Sequence, residues 1–178
     1  MQEQTKYQHF YTERQAMSAT HPELSPPSRS GCVELISAVM AEVPGARGLV
    51  VFILDYERLS GAPCQFDPLQ FGMLDRLAQR LSTCAEFWHR IVKGEHGELV
   101  VIAQGLVDSG TVLESAARLL HGFTEELSFA AEAFIGIAVY PKQGATAEEL
   151  LLAAEKSLVD AKRNGPSRSG RGAFFMQA

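Results

Sequence analysis

Cysteine is scarce: Cys32, Cys64 and Cys84 are all that 178 residues contain. Their number is odd and no two are neighbours, so they suggest neither a disulfide framework nor a C-x-x-C metal knuckle. Three reduced thiols in a cytoplasmic protein are expected. A basic excess is missing as well. Lys and Arg total 16 against 21 Asp and Glu, a net charge of −5. A general nucleic-acid binder shows the opposite balance, so no nucleic-acid partner is expected. No apolar run approaches the roughly 18 residues that cross a bilayer. Met1 to Phe10 is too polar for a secretory signal, and no membrane insertion is expected. What is present is 46% apolar residues, ordinary for a globular chain and too many for a disordered one.

Hydrophobic periodicity divides the chain. Residues 1–20 are polar but set Tyr7, Phe10, Tyr11 and Met17 near one helical stripe, and read as a helical lead-in or linker. His21 to Ser30 is loop, because its three prolines and three serines cannot sustain a helix. One domain is expected over residues 21–178. A helix is predicted over Gly31 to Val43, ended by Pro44 and Gly45. Gly48 to Ile53 is a continuous apolar run, the pattern of a strand buried on both faces, and is expected to terminate at Asp55. Pro68 to Ser82 reads as a second helix. Phe87 to Val92 and Leu99 to Ala103 flank a Gly-containing turn and read as a hairpin. Thr111 to Phe123 is a helix, Phe134 to Tyr140 a strand, Thr146 to Asn164 the last helix and Gly172 to Met176 a final strand. The fold class is α/β (α+β): a central, mainly antiparallel sheet with a βαββαβ core flanked by helices.

Several residues are familiar together. Gly136-Ile-Ala-Val-Tyr-Pro-Lys-Gln-Gly144, then Thr146-Ala-Glu-Glu-Leu-Leu151, then Ala154 to Lys162, resemble the C-terminal half of GGDEF domains, the diguanylate cyclases that make cyclic di-GMP from two GTP. Ser157 and Val159 depart from that pattern. Leu54-Asp55-Tyr56-Glu57-Arg58-Leu59 resembles the family's L-D-x-D-x-F, and Pro27-Ser28-Arg29 its opening P-N-R. The resemblance implies a nucleotide-cyclase palm-like fold.

It also implies what the chemistry would need. Joining two GTP molecules activates a 3′-hydroxyl against an α-phosphate, with divalent cations stabilising the charge that develops. Mg²⁺ is held there by carboxylates and substrate phosphates. In the family one carboxylate is the first Asp after strand one, which Asp55 matches. The other is the third residue of the G-G-D-E-F turn. Aligned on the strand that follows, Glu95-His96-Gly97-Glu98-Leu99 covers that turn. Gly97 then has no ligand atom, and Glu95 and His96 add bulk where two glycines would let the nucleotide approach. Glu98 matches the motif's Glu, Lys93 stands just before the turn, and Lys162 matches a phosphate-contacting Lys. The guanine-reading Asn and Asp fall near Pro63 and Gly72, which offer no such side chains. The inhibitory R-x-x-D falls on Glu86-Phe-Trp-His89, without the Arg that grips guanine.

Asp55, Lys93, Glu95, His96, Gly97, Glu98 and Lys162 are therefore read as vestigial active-site positions. No catalytic set, no cofactor and no metal is expected, with Asp55 at most a lone ligand. The resemblance implies a degenerate, catalytically inactive GGDEF-like domain, a regulatory and protein-interaction module in bacterial cyclic di-GMP signalling. Its expected partner is another signalling protein or domain, such as an EAL or sensor domain, or a second copy in a homodimer. The alternative is a GTP-sensing domain that allosterically regulates a neighbouring domain or partner.

Overall fold

The computed structural model describes residues 28–42, 48–58, 88–94, 98–106, 108–126, 131–165 and 172–175. Three helices, α1 (Arg29–Glu42), α2 (Ser109–Glu126) and α3 (Ala147–Asn164), accompany five strands. The strands are β1 (Val50–Arg58), β2 (Trp88–Lys93), β3 (Leu99–Gln104), β4 (Ala131–Val139) and β5 (Gly172–Phe175). They form one sheet in the order β2-β3-β1-β4-β5. All neighbours are antiparallel except β4 and β5, which are parallel and joined through α3. The sheet is thus mainly antiparallel, as expected. The expected helix over Pro68 to Ser82, the lead-in over residues 1–20 and residues 21–27 of the loop expected over His21 to Ser30 lie outside the described residues. The end of that loop is not loop, because Arg29 and Ser30 are the first residues of α1, where the Gly31 N–H donates to Ser28 Oγ.

The apolar run in β1 is buried on both faces because each face has its own helices. Val50, Phe52 and Leu54 join Leu99, Val101, Ile135 and Ile137 against Val112, Ala116, Leu119 and Phe123 of α2. Val51 and Ile53 point the other way, with Val100 and Ile102, against Ile36 and Val39 of α1 and Leu150, Leu151 and Ala154 of α3. The period of two along the strand therefore sorts alternate side chains into two cores.

α3 is fixed at both ends and in the middle. Thr146 is its N-cap rather than its first residue. Its side chain accepts the Glu149 N–H at 3.2 Å, while Glu149 Oε2 accepts the Thr146 N–H at 3.3 Å, a reciprocal capping box. Gly165 ends the helix at φ 70°, a left-handed conformation that suits glycine, and its N–H donates to the Lys162 carbonyl at 3.3 Å. In the middle, Gly136 of β4 faces the helix backbone. A Cβ there would meet the Ala154 carbonyl oxygen, the Leu158 nitrogen at 2.6 Å and the Leu158 Cβ at 2.7 Å.

Ser157 has a structural reason. Among the described residues β4 pairs with β5 through Gly136↔Phe175, and the next N–H along β4, that of Ile137, donates to the buried Ser157 Oγ at 2.9 Å. The hydroxyl supplies the acceptor for that buried N–H. Ser157→Ala is expected to leave that buried donor unpaired and to lower stability by about 1.5 kcal/mol. Urea unfolding checks this, and an unchanged midpoint would contradict it.

Candidate functional site

β1 does not terminate at Asp55. It stays paired with β4 through Arg58↔Ala131. The polar residues Asp55, Tyr56 and Glu57 suggest a strand end, but β4 begins early enough to offer them backbone partners. The alternation continues. Tyr56 turns to the α2 face, 6.3 Å from the Phe123 ring at an interplanar angle of 53°. Asp55 and Glu57 share the opposite face with α3.

There the last turn of α3 delivers Lys162. Phe134, the register partner of Asp55 on β4, packs buried beneath Ala161 and seats that turn. The Lys162 Nζ donates to Asp55 Oδ2 at 2.7 Å and lies 3.3 Å from Glu57 Oε1. Asp55 Oδ1 accepts the Tyr56 N–H at 2.8 Å. Both carboxylate oxygens of Asp55 are therefore engaged within the chain. The side chains of Asp55 and Lys162 are each 28% exposed and that of Glu57 is 56% exposed, so the pair is partly shielded and the Glu57 contact is more open to water.

Burial alone would push the Lys162 pKa down. The hydrogen bond and charge of Asp55, followed by those of Glu57, outweigh it and hold the ammonium above its ordinary 10.5. A folded pKa above the unfolded one means that the stabilisation is complete below the unfolded value and is lost as pH rises through the folded one. The stability gap between wild type and Lys162→Met is thus expected to be flat from neutral pH to about pH 10 and to shrink above it. Urea unfolding at a series of pH values measures the gap, and one that widens with alkalinity would contradict the assignment.

Glu98 lies on the same side of the sheet. The β1–β3 register runs to Leu54↔Leu99, and Asp55 and Glu98 are the next residues at that end of the two strands. The Gly94 N–H donates to the Glu98 carbonyl at 2.7 Å, closing the hairpin above β2 and β3. Burial, and after it the charge of Glu98, raise the pKa of the Cys32 thiol in α1. Three positions that were separate in sequence, Asp55, Glu98 and Lys162, are thus brought to one end of one face. Lys93 pairs through its backbone with Leu99, and its side chain lies outside the described residues, as do Glu95, His96 and Gly97.

Glu57 was missed as a site residue. Its signal was legible in the sequence, since two acidic residues two apart in a strand share a face and invite a common cation. Among the described residues no group of three His, Cys, Asp or Glu side chains could hold a metal ion. No helix among them is long and apolar enough to cross a membrane.

No family model matches the sequence, and no curated protein matches it. Solved structures do. The GGDEF domain of YfiN from Pseudomonas aeruginosa aligns over 88% of this chain and 100% of its own, with 18% identity and a TM-score of 0.59. The active GGEEF domain of a diguanylate cyclase from Vibrio cholerae aligns over 88% and 100%, with 14% identity and a TM-score of 0.58. The diguanylate cyclase SiaD from Pseudomonas aeruginosa, solved with its activator SiaC, aligns over 92% and 67%, with 15% identity and a TM-score of 0.54. At these identities the likeness is one of fold: the chain folds as GGDEF domains do.

Proposed function

From that fold as premise, we propose that the protein is a catalytically silent GGDEF-like module that acts by protein–protein contact in bacterial cyclic di-GMP signalling. The observation that carries the reading is the lysine on the aspartate. Asp55 is the one position where the sequence retains a carboxylate matching the family's metal ligands, and its oxygens are taken by the Lys162 ammonium and the Tyr56 N–H.

Mg²⁺ chemistry needs hard oxygen ligands free to replace water. A bound divalent cation would have to displace the ammonium from Asp55, and the sequence offers Gly97, with no ligand atom, for the second carboxylate. The donor set does not fit a cation pair. A phosphate arriving at Lys162 would likewise compete with two carboxylates for the same ammonium, which weighs against the GTP-sensing reading.

A scaffold without its reaction still presents surfaces. SiaD is bound by an activator protein, and a sensor domain, an EAL domain or a second copy is the class of partner proposed for this chain. The test is incubation of the purified protein with GTP and Mg²⁺ or Mn²⁺, with products separated by chromatography. No cyclic di-GMP is expected, and sustained turnover would overturn the reading. A parallel thermal-shift titration is expected to show no stabilisation by millimolar GTP with Mg²⁺. A saturable shift would replace this reading with the GTP sensor.

A further inference from the structure

The face of α3 turned away from the sheet holds a shallow depression of about 470 Å³, lined by Leu152, Glu155, Lys156, Val159, Asp160 and Arg163. Leu152 and Val159 are the large apolar side chains left exposed among the described residues, at 42% and 45%. One rim of the depression is marked by an ion pair. Glu155 accepts from Arg29 Nε at 3.2 Å and from Arg29 Nη2 at 3.3 Å.

Arg29 is the first residue of α1, so the preceding 28 residues join the described fold beside that rim. They are polar apart from a few residues, among which Tyr7, Phe10 and Tyr11 are the aromatic cluster. The eleven residues from Ser18 to Ser28 can reach roughly 35 Å when extended. An 18-residue helix such as α3 is about 27 Å long. The tether therefore suffices to set the cluster anywhere along the helix.

We propose that the segment holding Tyr7, Phe10 and Tyr11 docks intramolecularly on the outer face of α3, over Leu152 and Val159. A patch with two exposed apolar side chains is far smaller than the roughly 800 Å² per partner of a stable interface between separate molecules. A tethered segment faces no such demand, because a short linker raises its local concentration to the millimolar range. The charged lining is balanced, Glu155 and Asp160 against Lys156 and Arg163, so the two apolar side chains and the tether carry the docking.

The experiment is limited trypsin digestion of the full chain, followed by mass spectrometry. Cleavage after Lys6 and Arg14 is expected to be at least tenfold faster in Val159→Glu than in wild type, with cuts elsewhere unchanged. Phe10→Ser is expected to accelerate the Arg14 cut equally, and the double variant to add nothing further. The Phe10→Ser arm keeps the test decisive if Val159→Glu perturbs the helix. Equal rates in wild type and both variants would overturn the proposal. So would protection in wild type that fades on dilution, since that would assign the face to a second copy.

Discussion

Gly136→Ala is expected to lower stability by about 3 kcal/mol, the upper end of the range for an extra methyl in a packed interior. For a chain of this size that is a fall in melting temperature of roughly 6–12 °C. The reason is the neighbour. The added Cβ would meet main-chain atoms of α3, at Ala154 and Leu158, and a helix backbone cannot rotate away as a side chain can. The helix must lift from β4, and Lys162 in its last turn lifts with it. Gly122 provides the contrast. A Cβ there meets nothing within 4 Å, and α2 carries it in a helical interior. Gly122→Ala is expected to stabilise by about 0.5–1 kcal/mol. Differential scanning calorimetry on the two variants reads both signs, and a shared direction would contradict the close approach.

Lys162→Glu is the second large effect. It would set a third carboxylate against Asp55 and Glu57, which now share one ammonium at 2.7 and 3.3 Å. Loss of the attraction and gain of repulsion in a partly shielded place is expected to lower stability by about 2 kcal/mol, less than for a fully buried pair because water still reaches the site. Lys162→Met is expected to be the milder variant, because it keeps the aliphatic stem and adds no charge. Chemical unfolding of the two variants side by side checks the order. A Lys162→Glu protein as stable as wild type would mean that the ion pair is not made in solution.

Much of the fold was legible because two periods dominate it. The apolar run from Val50 to Leu54 could be buried only between two layers, and the structure supplies α2 on one face and α1 with α3 on the other. Leu150, Ala154, Leu158 and Ala161 recur at helical spacing and form the inner face of α3. Boundaries were less legible. Asp55-Tyr56-Glu57-Arg58 looks like a strand end when read alone, and continues as strand because β4 pairs with it through Ala131. Ser157 looked like a departure from a pattern, and its role depends on a backbone N–H of β4, 20 residues away in sequence.

The site was legible in its members but not in their relations. Asp55 and Lys162 were each singled out, one as a cation ligand and the other as a phosphate contact. That they satisfy each other is a consequence of three-dimensional packing, 107 residues apart in sequence. Glu57 was visible in the pattern, and it gains meaning only once α3 is seated over β1. The face is folded as in GGDEF domains, and its Asp55 carboxylate is held by the Lys162 ammonium.

Calorimetric titration of the wild-type protein with Mn²⁺, in the presence of a non-hydrolysable GTP analogue, measures that most directly. No saturable heat is predicted up to millimolar Mn²⁺, because the Asp55 carboxylate is held by an internal cation. Saturable uptake of two Mn²⁺ per chain, dependent on the nucleotide and abolished in Asp55→Ala, would contradict it.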